Sequence, residues 1–294
     1  MHSGNISKLW GGEQVKNSSL TPVRVDLHVH TTASDGTWGP EDLVKNLLVA
    51  GIHLFAVTDH DTTENLAGAA SIARENGLEF ITGVEVSTSY NGRNYHILGL
   101  GINPEHEGLQ TMLKRNRELM EAKDDESIKY LEGKLPNVSF DDYKKYVYNP
   151  ERGGWKALNY LIDKGLCSSY RDFFGLFDGW GNPFEKLIFA SPGEAIKTIS
   201  MAGGVPILAH PGADFYDRDY KSLISFMIGE GIKGIECYHP ENSEEITRFC
   251  LEICKSKDLL VTGGSDCHGE FVAGRYLGHP EIRLSQLKLD GIYW

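Results

Sequence analysis

The chain has 294 residues, 40% of them hydrophobic, enough for one large α/β domain or two ordinary ones with a full core, so general disorder is excluded. Its 29 basic and 41 acidic side chains leave a formal charge of −12; this excludes sequence-independent binding to duplex DNA or to an anionic membrane, so an anionic substrate must be attracted locally by cations or placed arginines. The five cysteines, Cys167, Cys237, Cys250, Cys254 and Cys267, are scattered without a C-x-x-C pair, as expected of a reduced, cytoplasmic compartment, and no run has signal-peptide or membrane-span character.

Residues 1–22 read as a loosely docked N-terminal extension. From Val23 the chain alternates β-rich runs with amphipathic ones, the pattern of βα units around a mostly parallel sheet. In VRVDLHVH, strict alternation puts Val23, Val25, Leu27 and Val29 on one face and Asp26, His28 and His30 on the other. A helix opening at Pro40 follows, with an apolar stripe of Leu43, Leu47 and Leu48 and a stop at Gly51. LFAVTDH, residues 54–60, is the second strand, and the helix after it ends at Gly77. FITGVEVSTSY and RNYHILGLG flank Asn91-Gly92, a strong hairpin signal. With those two residues as the loop, Ser87 faces His96, and Glu85 is its diagonal neighbour, roughly 7 to 8 Å away at the backbone.

Between about 103 and 190 the texture changes to a charged helical run and then a segment rich in Gly, Asp and aromatics, read as an inserted helical subdomain. Phe173, Phe174, Phe177, Trp180 and Phe184 are assigned to its own small core. The βα pattern resumes at the capping box Ser191-Pro192-Gly193-Glu194, followed by the strands GVPILAH, IKGIECYH and LLVTGGSDCH. The expected organisation is a barrel of residues 23–102 and 191–284, an insert of 103–190 and a C-terminal tail of 285–294.

His28, His30, His60, Glu85, His210, Asp266 and His268 each fall at the C-terminal end of an apolar run or just past it, the end where parallel barrels build their sites. Imidazoles mixed with carboxylates suit Zn, Mn or Fe better than Mg or Ca. Three such dications facing Asp35, Glu85 and Asp266 leave a surplus of about +3, suited to a phosphate dianion and a hydroxide, and metals that lower the pKa of a bridging water hydrolyse phosphoesters. His239, closing IECYH, is a candidate substrate contact or leaving-group acid, and Asp26 a hydrogen-bonding support for the ligands. Cys267 is expected to point away from the ligands and be buried. His53, His106 and His279 are expected at the surface. Gly263-Gly264 is expected to let the backbone pass close to the metals.

The motifs D-L-H-V-H-T-x-x-S-D-G at 26–36, T-D-H-D at 58–61, G-V-E-V-S at 83–87, L-A-H-P at 208–211 and G-S-D-C-H at 264–268 together resemble the polymerase-and-histidinol-phosphatase (PHP) family. The resemblance implies an α/β fold, a distorted (β/α)7 TIM-like barrel, holding two or three divalent ions. By position, His28, His30, Glu85 and Asp266 would bind a first ion and Asp35, His60 and His268 a second. Glu85 would bridge to a third, held also by His96 and His210. The insert resembles that of the subgroup acting on nucleoside monophosphates, 3′,5′-bisphosphates or the 5′ end of short RNA, where it caps the barrel mouth and supplies arginines. Arg152 is the matching phosphate contact here, although no histidine follows it as in the subgroup's G-R-x-H segment. The expectation is a cytoplasmic phosphoesterase acting on a small phosphorylated substrate, with no separate protein nucleophile. A histidinol-phosphate phosphatase is the rival enzyme, and a noncatalytic metal-binding module the rival from another class.

Overall fold

The computed structural model describes residues 23–216 and 219–294, so the extension expected at 1–22 lies outside the described residues. Seven strands form one sheet in chain order: β1 (Val25–Val29), β2 (Leu54–Val57), β3 (Glu79–Tyr90), β4 (Arg93–Leu100), β5 (Val205–Leu208), β6 (Gly234–Tyr238) and β7 (Leu260–Gly263). Neighbours run parallel except β4, which is antiparallel to both β3 and β5. The ring closes just beyond β7, where Asp266 N–H donates to His28 O (2.8 Å) and His30 N–H to Cys267 O (2.9 Å). This is the expected α/β barrel, distorted by one reversed strand and by closure through a loop. Among the described residues no helix is long and apolar enough to cross a membrane.

Local chemistry accounts for the elements. Helix α1 (Pro40–Ala50) begins at proline and ends at Gly51, whose φ of 69° lets the backbone N–H cap Leu47 and Leu48. It buries Leu43, Val44 and Leu47, whereas Leu48, expected in the stripe, is 45% exposed. Helix α2 (Leu66–Glu75) follows β2. Tyr90 pairs with Arg93 across Asn91-Gly92, so Ser87 does face His96.

Four helices follow β4 ahead of Ser191: α3 (Glu107–Glu132), α4 (Phe140–Lys145), α5 (Lys156–Asp163) and α6 (Tyr170–Gly175). They share a core that includes Ile128, Leu131, Tyr160, Leu161, Phe173 and Phe177, with Phe174, Trp180 and Phe184 packed against it. His106 is not idle at the surface; its Nδ1 caps α3 by accepting from Leu109 N–H at 3.2 Å. Helices α7 (Pro192–Met201), α8 (Tyr220–Glu230) and α9 (Glu244–Lys257) complete the outer layer, and Ser191 Oγ caps α7 by accepting from Glu194 N–H.

One apolar cluster joins the helices to the outside of the sheet, and a second, including Val25, Leu27, Leu54, Ala56, Ile81, Leu98, Leu100, Ile207 and Ala209, fills the barrel. This corrects the strict alternation expected of β1. Between Asp26 and Val29 the strand carries one more residue than its partner β2, a bulge that puts His28 and Leu27 on the same, inner side while Val29 joins the outer cluster. Residues 285–294, expected as a tail, pack against the barrel interior: Leu287, Leu289, Ile292 and Trp294 join the inner cluster, and Lys288 bridges to Val261.

Candidate metal centre

The inner cluster leaves the opposite end of the barrel to polar side chains. His28 comes from β1 and His30 from the residue just after it, Asp35 from the loop that follows, and Glu85 and His96 from the β3–β4 hairpin; His60, His210, Asp266 and His268 follow β2, β5 and β7. Residues 59–61 extend the pairing of β2 with β3, since Glu85 N–H donates to Asp59 O and Asp61 N–H to Glu85 O, so His60 lies level with Glu85. The structure brings all nine expected residues together.

Glu85 is the hub. Its Oε2 lies 3.2 Å from His28 Nε2, 3.2 Å from His30 Nε2 and 3.1 Å from His60 Nδ1, and its Oε1 lies 3.0 Å from His96 Nδ1 and 2.8 Å from His210 Nε2. Asp266 Oδ1 adds contacts at 3.4 Å to His28 and 3.1 Å to His30, and Asp35 Oδ1 is 3.4 Å from His268 Nε2. Four sets of ligand atoms each fit within 4.8 Å: His28, His30, Glu85 and Asp266; His30, Asp35, His60 and His268; His60, Glu85 and His96; and, with Glu236 behind the ring of His28, His28, Glu236 and His239. His210 is absent from the third set and reaches the cluster through Glu85.

The donors fit a metal. Glu85 Oε2, Asp266 Oδ1 and Asp35 Oδ1 are buried without a hydrogen bond, although imidazole nitrogens surround them at contact distance. Such crowding of acceptors is costly unless a cation sits among them. The charge balance agrees. Burial opposes a proton on His28, but Glu236, Asp266 and Glu85 outweigh it and raise its pKa well above the usual range. His30 is likewise desolvated, yet Asp266 and Glu85 hold it up to about 10. Burial pushes His60 down to about 3 and lowers His210. Burial would raise Glu85, but His60, His96 and His28 hold it well below the carboxylate range. The pocket therefore demands positive charge.

A second layer of residues fixes the ring nitrogens. Glu236 on β6 accepts from His28 Nδ1 at 3.0 Å and from His210 N–H at 2.8 Å, turning His28 Nε2 toward Glu85. His268 Nδ1 must be a donor, because its partner at 2.8 Å is the carbonyl of Asp266; Nε2 is thus left free to face Asp35. Asp59 accepts from Thr31 Oγ1 (2.6 Å) and Ser34 Oγ (2.5 Å), bracing the loop that carries Asp35. His239 is buried; its Nδ1 accepts from Glu241 N–H, so Nε2 donates to Asp266 Oδ2 at 3.3 Å. Arg275 grips the same Asp266 oxygen and Glu241 Oε1. Asp26 accepts from Ser265 N–H and Gly278 N–H, tying β1 to the closing loop. Non-glycine residues with positive φ gather here, namely His210 (26°), Asp266 (52°) and Asp61 (50°), as strained backbone does at functional sites.

Arg152 lies apart, in a one-turn helix at Pro150–Arg152, with its guanidinium on Asp163 (2.8 Å) and Tyr146. The backbone beside it reaches the site, since Gly154 N–H donates to Asp35 O at 2.8 Å. Cys267 is buried in the outer cluster with its thiol pushed up to about 12 by desolvation. Sequence reading missed Glu236, although an acid inside the apolar run GIECY was the available signal.

The PHP domain pattern matches residues 26–186 of this chain. The chain is 33% identical over 264 residues to a 3′,5′-nucleoside bisphosphate phosphatase of Chromobacterium violaceum, covering 87% of this chain and 91% of that one. It is 33% identical to a 5′-3′ exoribonuclease of Haemophilus influenzae, covering 83% and 90%. A solved structure from Bifidobacterium adolescentis, described as a candidate metal-dependent phosphoesterase, superposes with a TM-score of 0.73 at 27% identity, covering 86% and 91%.

Proposed function

The chain belongs to the PHP domain family of metal-dependent phosphoesterases, and from that premise we propose that it removes phosphate from a small nucleotide, or cleaves at the 5′ end of short RNA, at a cluster of two or three divalent ions. The observation that carries the reading is Glu85, a buried carboxylate with both oxygens within 3.2 Å of imidazoles from four segments of the chain. His28, His30, Glu85 and Asp266 would hold one ion, Asp35, His60 and His268 a second, and Glu85 with His96 and His210 a third. Ions held there would polarise the phosphoryl oxygens and lower the pKa of water at the site.

The protein's own groups keep that site in shape. Glu236 and the carbonyl of Asp266 hold the Nδ1 protons of His28 and His268, so both rings present Nε2 inward. His239 and Arg275 occupy Asp266 Oδ2 and leave Oδ1 for an ion. Helices α3 to α6 serve as a cap over the mouth. Arg152 becomes a phosphate contact by leaving Asp163, a partly exposed pair worth no more than about 1 kcal/mol.

Phosphate release is to be measured from nucleoside 3′,5′-bisphosphates, nucleoside monophosphates and histidinol phosphate, and mononucleotide release from short 5′-phosphorylated RNA, with Mn or Zn supplied. Turnover of the nucleotides above histidinol phosphate supports the reading. Preference for histidinol phosphate, or no turnover of any phosphoester by metal-loaded protein, overturns it.

A further inference from the structure

Among the large apolar side chains left exposed in the described residues, Phe215 is in ring contact with the histidine cluster. Its ring centre is 5.5 Å from that of His96 and 5.7 Å from that of His210, yet 49% of the residue is exposed. The ring is held in place. Tyr216, buried beside it with ring centres 4.8 Å apart at 80°, accepts the His96 backbone N–H on its hydroxyl at 2.6 Å. The turn carrying both residues is closed by Ala213 N–H to His210 O and Tyr216 N–H to Ala213 O, and Gly212 N–H is anchored on Asn242 Oδ1. A fixed aromatic surface therefore stands at the rim of the cluster, backed by two imidazoles and open to solvent.

We propose that Phe215 is the stacking platform for the base of the nucleotide substrate, which makes it a specificity residue. The proposal rests on the nucleotide reading above and deepens it. Within one nucleotide the phosphate and the base are separated by a ribose, so a phosphate drawn to the ions at Glu85, His96 and His210 brings its base to the adjacent wall. The exposed ring offers a π-face and no hydrogen-bonding atom. Stacking of this kind accepts every base and favours the larger purines, so the enzyme discriminates base-bearing from base-less phosphates far more than one base from another.

The test compares kcat/KM for adenosine 3′,5′-bisphosphate with that for ribose 5-phosphate in the full-length Mn-loaded enzyme, in Phe215→Ala, Phe215→Leu and Phe215→Trp, with metal content measured in each. The ratio of the two values cancels any general damage to the metal centre. The expected result is a fall in the ratio of roughly ten-fold in the Ala and Leu variants, within the five- to hundred-fold range of base–aromatic stacking, expressed mainly in KM and restored by Trp. An unchanged ratio in Ala and Leu overturns the platform while leaving the nucleotide reading intact, because the ring would then be only a wall shielding the histidines. A wild-type enzyme that hydrolyses ribose 5-phosphate and no nucleotide overturns both.

Discussion

Replacing Glu236 tests whether the site depends on support behind its ligands. Both carboxylate oxygens of Glu236 are in use, Oε1 toward His28 Nδ1 and Oε2 toward the His210 backbone N–H, and the residue is fully buried. Burial would raise its pKa, but His28 and His239 lower it, so it is ionised. Glu236→Gln keeps the shape but offers one acceptor oxygen to two donors, leaving one unpaired at about 1–3 kcal/mol. Glu236→Ala strands both, for about 2–6 kcal/mol in all. The freed His28 ring should weaken metal binding by about 10–100-fold. Metal titrations read by phosphate release, together with urea unfolding of the same samples, measure both effects. Glu236 touches no substrate in the proposed arrangement, so Glu236→Gln should regain activity within a few-fold of wild type at saturating metal. An unshifted metal midpoint in a folded variant, or a deficit that excess metal does not repair, would refute the reasoning.

Glu85→Gln should lower phosphoester turnover by about a thousand-fold or more, since several kcal/mol of charge stabilisation depend on the ions it gathers, and bound metal should fall in elemental analysis; full activity would exclude Glu85 as the hub. Metal affinity should rise with pH around neutrality. His30, held up to about 10, and His28 and His96, also raised, carry protons below their pKa values that an arriving ion must expel. Calorimetry in buffers of different ionisation enthalpy should register that proton release, and its absence would contradict the assignment. Gly264→Ala should destabilise the fold by about 1–3 kcal/mol, seen as a melting point lower by several degrees, because the added Cβ meets the His28 backbone and Cβ; a melting point equal to that of wild type would count against this packing.

Local patterns carried most of the site. Asn91-Gly92 set the hairpin register, and with it the placing of Glu85 near His96, through turn chemistry confined to a few residues. The ends of apolar runs located the remaining candidate ligands except Asp35, which came from the motif resemblance, because barrel strands finish on a common rim. What escaped depends on distant partners. Glu236 meets His28 across 208 positions of sequence, and nothing near either residue announces the pairing. The bulge in β1 is imposed by how β1 pairs with β2 and closes against the residues after β7, so periodicity within VRVDLHVH continued the wrong alternation through His28. In residues 285–294 the alternation of Leu287 and Leu289 is cut short at Asp290-Gly291, too brief a run to form a pattern, yet the open end of the barrel gives Leu287, Leu289, Ile292 and Trp294 a surface to cover.

β1 meets the segment after β7 through two hydrogen bonds flanking Val29, and the side chains on either side of that join are His28, His30 and Asp266. An ion held by all three would rivet the first strand to the last. Its binding free energy would then count toward holding the ring shut, so chelation should loosen the join between residues 26–30 and 264–268 before it disturbs the hairpin, and amide exchange in those two stretches should quicken first.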